Sequence, residues 1–89
     1  MRTTRILRLS EVLERFGKKQ TAVRDAIAAG LFPSFVQLGG RCIGLPEHEL
    51  EQIIRARIAG LPDADIRKLV VRIHAERARA AAELIGGAA

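Results

Sequence analysis

The chain has 89 residues and a formal net charge of +5, from 15 Lys and Arg against 10 Asp and Glu. That length is enough for one small domain, and its core is thin because 14 of the apolar residues are alanines. One cysteine and two histidines exclude a disulfide framework and a Cys/His zinc site, so a reducing cytoplasmic setting is the default expectation.

The first predicted helix begins with Ser10 as its N-cap and ends at Gly17. A short apolar segment, residues 6–9, precedes it. Its apolar face consists of Val12, Leu13 and Phe16. The helix is therefore expected to be about two turns long.

A second predicted helix follows a tight connection that contains Gly17, and it ends at Gly30. Its apolar face consists of Ala22, Val23, Ala26 and Ile27, and its polar face of Gln20, Thr21, Arg24 and Asp25. Two short helices joined in this way are typical of a helix-turn-helix. Neither helix would be stable alone, so both must pack on other elements.

After Gly30 the pattern changes to extended chain. Apolar residues on both sides of Gly39-Gly40 predict a β-hairpin, because this pair tolerates positive φ. Cys42 alternates with apolar neighbours in the second strand, and we expect a small core residue rather than a nucleophile. Pro46 opens a third helix, which Gly60 closes. The predicted buried stripe of this helix is Leu50, Ile53, Ile54 and Ile58.

The last predicted helix runs from Asp65 to Ile85, with Asp63 as its cap. Its apolar stripe consists of Ile66, Leu69, Val70 and Ile73. This stripe could fold back on its own domain or dock on a neighbouring subunit. We favour self-association through the stripe, because residues 1–60 are expected to close a core without it.

The fold class predicted from these elements is mainly α with a small β-hairpin. Helix, helix, hairpin and helix over residues 1–60 predict a winged helix-turn-helix DNA-binding domain. Residues 61–89 are predicted to be a long C-terminal helix for self-association, with a frayed tail.

The basic excess lies in one half of the chain. Residues 1–41 hold eight Lys and Arg against three Asp and Glu, whereas residues 42–89 hold seven of each sign. This asymmetry is expected if the first half faces a polyanion and the second half serves another purpose. A solvated basic surface without such a partner is the alternative.

Six polar side chains of the basic half are candidate DNA contacts. Those of the second helix can hydrogen-bond base edges in the major groove. The two lysines before it suit phosphates, and the arginine at the hairpin tip suits the DNA backbone or a narrow minor groove. An ordinary solvent-exposed side chain is the alternative in each case. The six are Lys18, Lys19, Gln20, Thr21, Arg24 and Arg41.

No motif supports catalysis, a metal or another cofactor. His48 and His74 lie on predicted helices without partners at ligand spacing, and the residues after Gly17 lack the upstream glycine and strand of a phosphate loop. The N-terminal residues do not form a signal peptide, and no stretch approaches the ~18 apolar residues of a membrane span. We expect a non-enzymatic protein of the cytoplasm, associated with the nucleoid.

The order of elements and four short motifs resemble the AlpA-like and excisionase family of small winged-helix proteins, which is related in fold to the DNA-binding domains of MerR regulators. The resemblance covers about residues 5–58. The motifs are ILRLSEVL at 6–13, GLFP at 30–33, VQLGGR at 36–41 and PEHEL at 46–50.

The resemblance implies a sequence-specific protein that binds double-stranded DNA. Excisionases of this family, also called recombination directionality factors, bind and bend attachment-site DNA so that an integrase excises a mobile element. AlpA-like members instead regulate transcription of a prophage or integrative element. We expect the excisionase role, with self-association on DNA and a site-specific integrase as a further partner. A protein-interaction adaptor that binds an acidic partner is the alternative from another class.

Overall fold

The computed structural model describes residues 5–86. In chain order its elements are β1 (Ile6–Arg8), α1 (Leu9–Phe16), α2 (Gln20–Ala28), β2 (Val36–Gly39), β3 (Cys42–Pro46), α3 (Glu47–Ile58) and α4 (Asp63–Leu84). The predicted fold class, a winged helix-turn-helix with a long C-terminal helix, is confirmed. No helix within residues 5–86 combines the length and the apolar character needed to cross a membrane. The predicted frayed tail, residues 86–89, lies almost wholly outside the described residues.

The sheet has one strand more than the sequence predicted. The apolar segment before α1 forms β1, which pairs antiparallel with β3 and places Leu7 opposite Leu45. β2 pairs with the other edge of β3, so the strand order is β1-β3-β2. Gly44 lies at the centre of this sheet, where a Cβ atom would come within 2.5 Å of Cγ2 of Ile6. Glycine therefore permits the close approach of β1 to β3.

The first helix begins two residues earlier than predicted, so the prediction of Ser10 as its N-cap is wrong. Arg8 is the N-cap, with φ −75° and ψ 161°. Its backbone N–H donates to Oε1 of Glu11 at 3.0 Å. Because Arg8 still pairs with Gly44 in the sheet, the chain passes from β1 into α1 without a loop. The predicted stop is confirmed, since Gly17 adopts the left-handed conformation with φ 73°.

The core lies between the sheet and the helices. The ring of Phe32, in the segment between α2 and β2, has its centroid 5.1 Å from that of Phe16 and 6.4 Å from that of Phe35. Every helix and both β1 and β3 contribute to the same buried apolar cluster. Its members are Leu7, Val12, Val23, Phe32, Leu45, Leu50, Ile53, Ala56, Ile66, Val70 and Ile73.

The apolar stripe of α4 is part of this core, so the prediction that it is a self-association surface is wrong. Ile66, Val70 and Ile73 are between 0% and 3% exposed, and Leu69 packs against the cluster. These side chains are buried in the same cluster as Leu50, Ile53 and Ala56 of α3. The predicted boundary at residue 60 therefore separates two segments that share one core.

Three smaller predictions are also wrong. The buried face of α3 continues from Ile53 to Ala56, and this spacing leaves Ile58 81% exposed. Cys42 is exposed because it begins β3 at the tip of the hairpin, beyond the core. Asp63 is the first residue of α4 rather than its cap, and Pro62 occupies the N-cap position.

Candidate nucleic-acid interface

The connection between α1 and α2 presents two lysines at the start of α2. Gly17 donates its backbone N–H to the carbonyl of Leu13 at 2.9 Å and reverses the chain. Lys18 and Lys19 follow, both exposed, and Lys19 is the N-cap of α2. The free backbone N–H groups of a helix N-terminus attract anions. The two ammonium groups therefore add positive charge where the helix itself favours a phosphate.

The predicted contacts of α2 are on its exposed side. Val23 is buried and anchors the helix on the core. Gln20, Thr21 and Arg24 are exposed, and their spacing of three and four residues places them near one another on the helix surface. This arrangement leaves their polar groups free to reach base edges.

A cleft separates α2 from the hairpin. Gln20 and Arg24 line it on the side of α2, and Ile43 of β3 lines it on the side of the hairpin. The cleft has a volume of about 200 Å³, and Phe35 lies among its lining residues. The helix and the hairpin are therefore neighbours.

The hairpin tip is closed by a glycine pair and presents Arg41. Gly39 and Gly40 have φ values of 112° and 56°, a backbone conformation that side-chain-bearing residues rarely adopt. The side-chain amide of Gln37 donates to the carbonyl of Gly40 at 2.7 Å and holds the turn. Arg41 comes next and is exposed. Arg41 therefore lies at the turn of the hairpin whose strand β3 borders the cleft through Ile43.

Two arginines of the basic half, residues 1–41, form ion pairs. Arg5 lies 3.2 Å from Glu11, and Arg15 lies 2.6 Å from Glu47. Within residues 5–86, the other cations of the basic half have no carboxylate within ion-pair distance: Arg8, Lys18, Lys19, Arg24 and Arg41. Four of these five are candidate DNA contacts, and they lie in the turn before α2, on α2 and at the hairpin tip. Arg2, the eighth cation, lies outside the described residues.

Among the carboxyl groups of residues 5–86, Glu11 is the one with an evident pKa shift. The backbone N–H of Arg8 donates to it and lowers its pKa below the ordinary value, and the guanidinium groups of Arg5 and Arg15 act in the same direction. The charged carboxylate thus stabilises the start of α1.

Sequence reasoning missed a set of α4 residues that contact the segment between α2 and β2. Arg67 donates to the carbonyl of Ala29, Arg77 donates to that of Ser34, and the ring of His74 accepts the N–H of Ser34. Arg77 is in register with the apolar stripe of α4. Its position four residues after Ile73 was the available signal, because a charge in register with a buried stripe needs a partner.

The described residues contain no group of three or more His, Cys, Asp and Glu side chains that could hold a metal ion. His48 is exposed on α3, and His74 is occupied by the hydrogen bond to Ser34.

Residues 5–58 match the family model described as "Prophage CP4-57 regulatory protein (AlpA)". No curated protein and no solved structure matched the chain. The matched range covers more than half of the chain and extends from β1 to the end of α3, so it includes the helix-turn-helix and the hairpin. The chain therefore belongs to the AlpA family of prophage regulatory proteins, which are small DNA-binding regulators.

Proposed function

We propose that this AlpA-family protein is an excisionase, or recombination directionality factor. It binds and bends attachment-site DNA so that a site-specific integrase excises a mobile element, and it acts by binding rather than by catalysing a reaction. The observation that supports this proposal is that four exposed cations without an ion pair lie in the turn before α2, on α2 and at the tip of the neighbouring hairpin: Lys18, Lys19, Arg24 and Arg41.

In the proposed complex, α2 with the turn before it and the hairpin contact different parts of the duplex. Lys18 and Lys19 neutralise phosphates at the start of α2, while Gln20, Thr21 and Arg24 reach base edges in the major groove. Arg41 meets the backbone or the minor groove next to it. A bend toward the protein brings phosphates to both elements at once, and these added contacts offset the deformation energy of the DNA.

Cooperative binding at repeated sites belongs to the same proposal. The buried stripe of α4 is not available for it, but other apolar side chains are exposed on α3 and α4 and on the residues next to them. These are Ile58, Leu61, Val71, Leu84 and Ile85. Exposed apolar side chains of this kind suit contacts with a neighbouring copy or with the integrase.

Footprinting on DNA that flanks the protein's own gene tests the proposal. We expect protection of an attachment site, with a bend that a circular-permutation gel assay detects on the same fragment. The triple variant K18A/K19A/R24A should lose both, and R79A, which removes an exposed cation from α4, should keep both. Weak binding that ignores sequence and changes little with salt would contradict the proposal and favour an adaptor for an acidic protein.

A transcription regulator is the second candidate, and the family description, a regulatory protein, favours it. Both roles use the same DNA-contacting residues, so the location of the footprint distinguishes them. Protection of a promoter with a changed yield of run-off transcript would favour the regulator. Protection of an attachment site, with integrase-dependent excision that requires the protein, would favour the excisionase.

A further inference from the structure

Helix α4 contacts both ends of the segment that joins α2 to the hairpin. At the α2 end, Nε of Arg67 donates to the carbonyl of Ala29 at 3.0 Å. At the hairpin end, Nη2 of Arg77 donates to the carbonyl of Ser34 at 2.8 Å, and the N–H of Ser34 donates to Nε2 of His74 at 3.1 Å. The two arginines lie on one helix, so the distance between these attachment points is fixed by α4.

Each arginine is itself held in place. The aliphatic part of Arg67 packs over Gly30, where a Cβ atom would lie 3.8 Å from its Cγ. Arg77 is paired with Glu49 of α3, which is buried, and it also donates to the hydroxyl of Ser34 at 3.2 Å. The contact of Arg77 is part-buried, whereas Arg67 is exposed to solvent on its other side.

The segment between these contacts depends on them. Residues 29–35 contain no helix or strand. The N–H groups of residues 29–31 donate back to carbonyls of α2, but no such backbone hydrogen bond extends over residues 32–35 to the start of β2. Phe32 anchors the middle of the segment in the core. Its two ends are held by α4, which follows the last residue of the family match.

We propose that Arg67 and Arg77 are positioning residues for DNA binding, which hold α2 and the hairpin at the angle that one duplex requires. The proposal rests on the proposed function, in that it assumes that both elements meet the same DNA. It assigns α4 a role in recognition although its arginines contact the backbone of the protein rather than the DNA. A fixed angle between α2 and the hairpin improves affinity for DNA, because less conformational entropy is lost when the complex forms.

Two variants remove the contacts with limited harm to the core. R67M keeps an unbranched side chain over Gly30 and removes the donor to Ala29. E49Q/R77M removes both charges of the buried pair together, so that neither partner is left as an unpaired charge. R72M is the matched control, because Arg72 is an exposed cation of α4 with no hydrogen bond to residues 29–35 among the described contacts.

The first measurement is affinity for the duplex that the wild-type protein selects from a random pool. We expect R67M and E49Q/R77M to bind it about tenfold more weakly, with the salt dependence of binding unchanged. R72M should bind like the wild type, and R67K, which keeps a donor, should recover most of the affinity. Equal affinities for R67M and R72M, or a shallower salt dependence in R67M, would overturn the proposal.

The second measurement needs no DNA. Residual dipolar couplings of α2 and β3 fit one alignment tensor if the two elements keep a fixed angle. We expect one tensor for the wild type and R72M, and failure of the common fit for R67M and E49Q/R77M; one tensor for all four proteins would overturn the proposal. If the wild type selects no duplex, the proposed function fails, and the couplings still decide whether α4 fixes the angle.

Discussion

Arg77 of α4 and Glu49 of α3 form an ion pair in which Nε of the arginine lies 3.0 Å from Oε2 and 3.1 Å from Oε1 of the carboxylate. Glu49 is 4% exposed and is the one buried charged side chain among residues 5–86. The pair joins the start of α3 to the last packed turn of α4. Because the carboxylate of Glu49 is removed from water, the stability of the folded protein depends on the arginine that pairs with it.

Removing only the arginine should therefore destabilise the protein strongly. We expect R77M to lower the free energy of unfolding by about 3 kcal/mol, because Glu49 stays buried without its partner. The control is R79M, which removes an exposed arginine from the same helix and should change stability by less than about 0.5 kcal/mol. Urea unfolding followed by circular dichroism measures both, and equal losses would contradict this account of the pair.

Truncation of the α4 stripe tests whether it belongs to the core. We expect I66A and I73A each to lower the free energy of unfolding by about 2–5 kcal/mol, since both side chains are fully buried. V71A, at a position that is 67% exposed, should have little effect. If I73A left stability intact but dissociated an oligomer in analytical ultracentrifugation, the stripe would be an association surface after all.

Arg24 tests the base-contacting role of α2. R24A should weaken binding to the selected duplex by about 1–3 kcal/mol and relax the preference at one base position. Its affinity for an unrelated duplex should fall much less. Titration of matched and single-mismatch duplexes by fluorescence anisotropy measures both effects, and unchanged affinity for the selected duplex would remove Arg24 from the contact set.

Lys18 and Lys19 test the phosphate-contacting role of the turn before α2. K18A and K19A should weaken binding to all duplexes alike and each reduce the slope of log K against log salt by about 1. Substitution of Arg55, an exposed cation on α3, by alanine should leave the slope unchanged. A slope that fell equally in all three variants would show only a general effect of net charge.

The pH dependence of stability tests the contribution of Glu11 to the start of α1. Its native pKa lies below the ordinary value of 4.5, so the unfolded chain takes up the proton first as the pH falls. The stability that Glu11 contributes is thus complete above its unfolded pKa and is lost as the pH decreases through the native pKa. We expect E11Q to be less stable than the wild type at pH 7 and to approach it in acid, as measured by urea unfolding. E14Q, an exposed change in the same helix, is the control, and a wild-type to E11Q difference independent of pH would contradict the assignment.

The elements with a strong local signal could be predicted from the sequence. Gly17 ends α1 and Gly39-Gly40 forms the hairpin tip, because positive φ is a property of the residue type itself. The resemblance to the AlpA family was confirmed over residues 5–58. All six candidate DNA contacts are exposed, and their binding to DNA stays a prediction.

The features that could not be predicted depend on contacts between distant segments. Three residues of β1 give too short a pattern to identify a strand, and its pairing depends on β3 nearly forty residues later. Ile66, Val70 and Ile73 are buried because apolar surface remains beside α3 for α4 to cover. The periodicity of the α4 sequence does not reveal how large that surface is. Arg67 finds its partner in a backbone carbonyl, and side-chain identity gives no signal for such a contact.

Amide chemical shifts measured while the selected duplex is added test the central claim most directly. This account predicts that the largest changes fall on residues 18–24 and 37–43, the α1–α2 turn, α2 and the hairpin, with small changes on the exposed side of α4. Large changes confined to α3 and α4, with residues 18–24 unmoved, would contradict it.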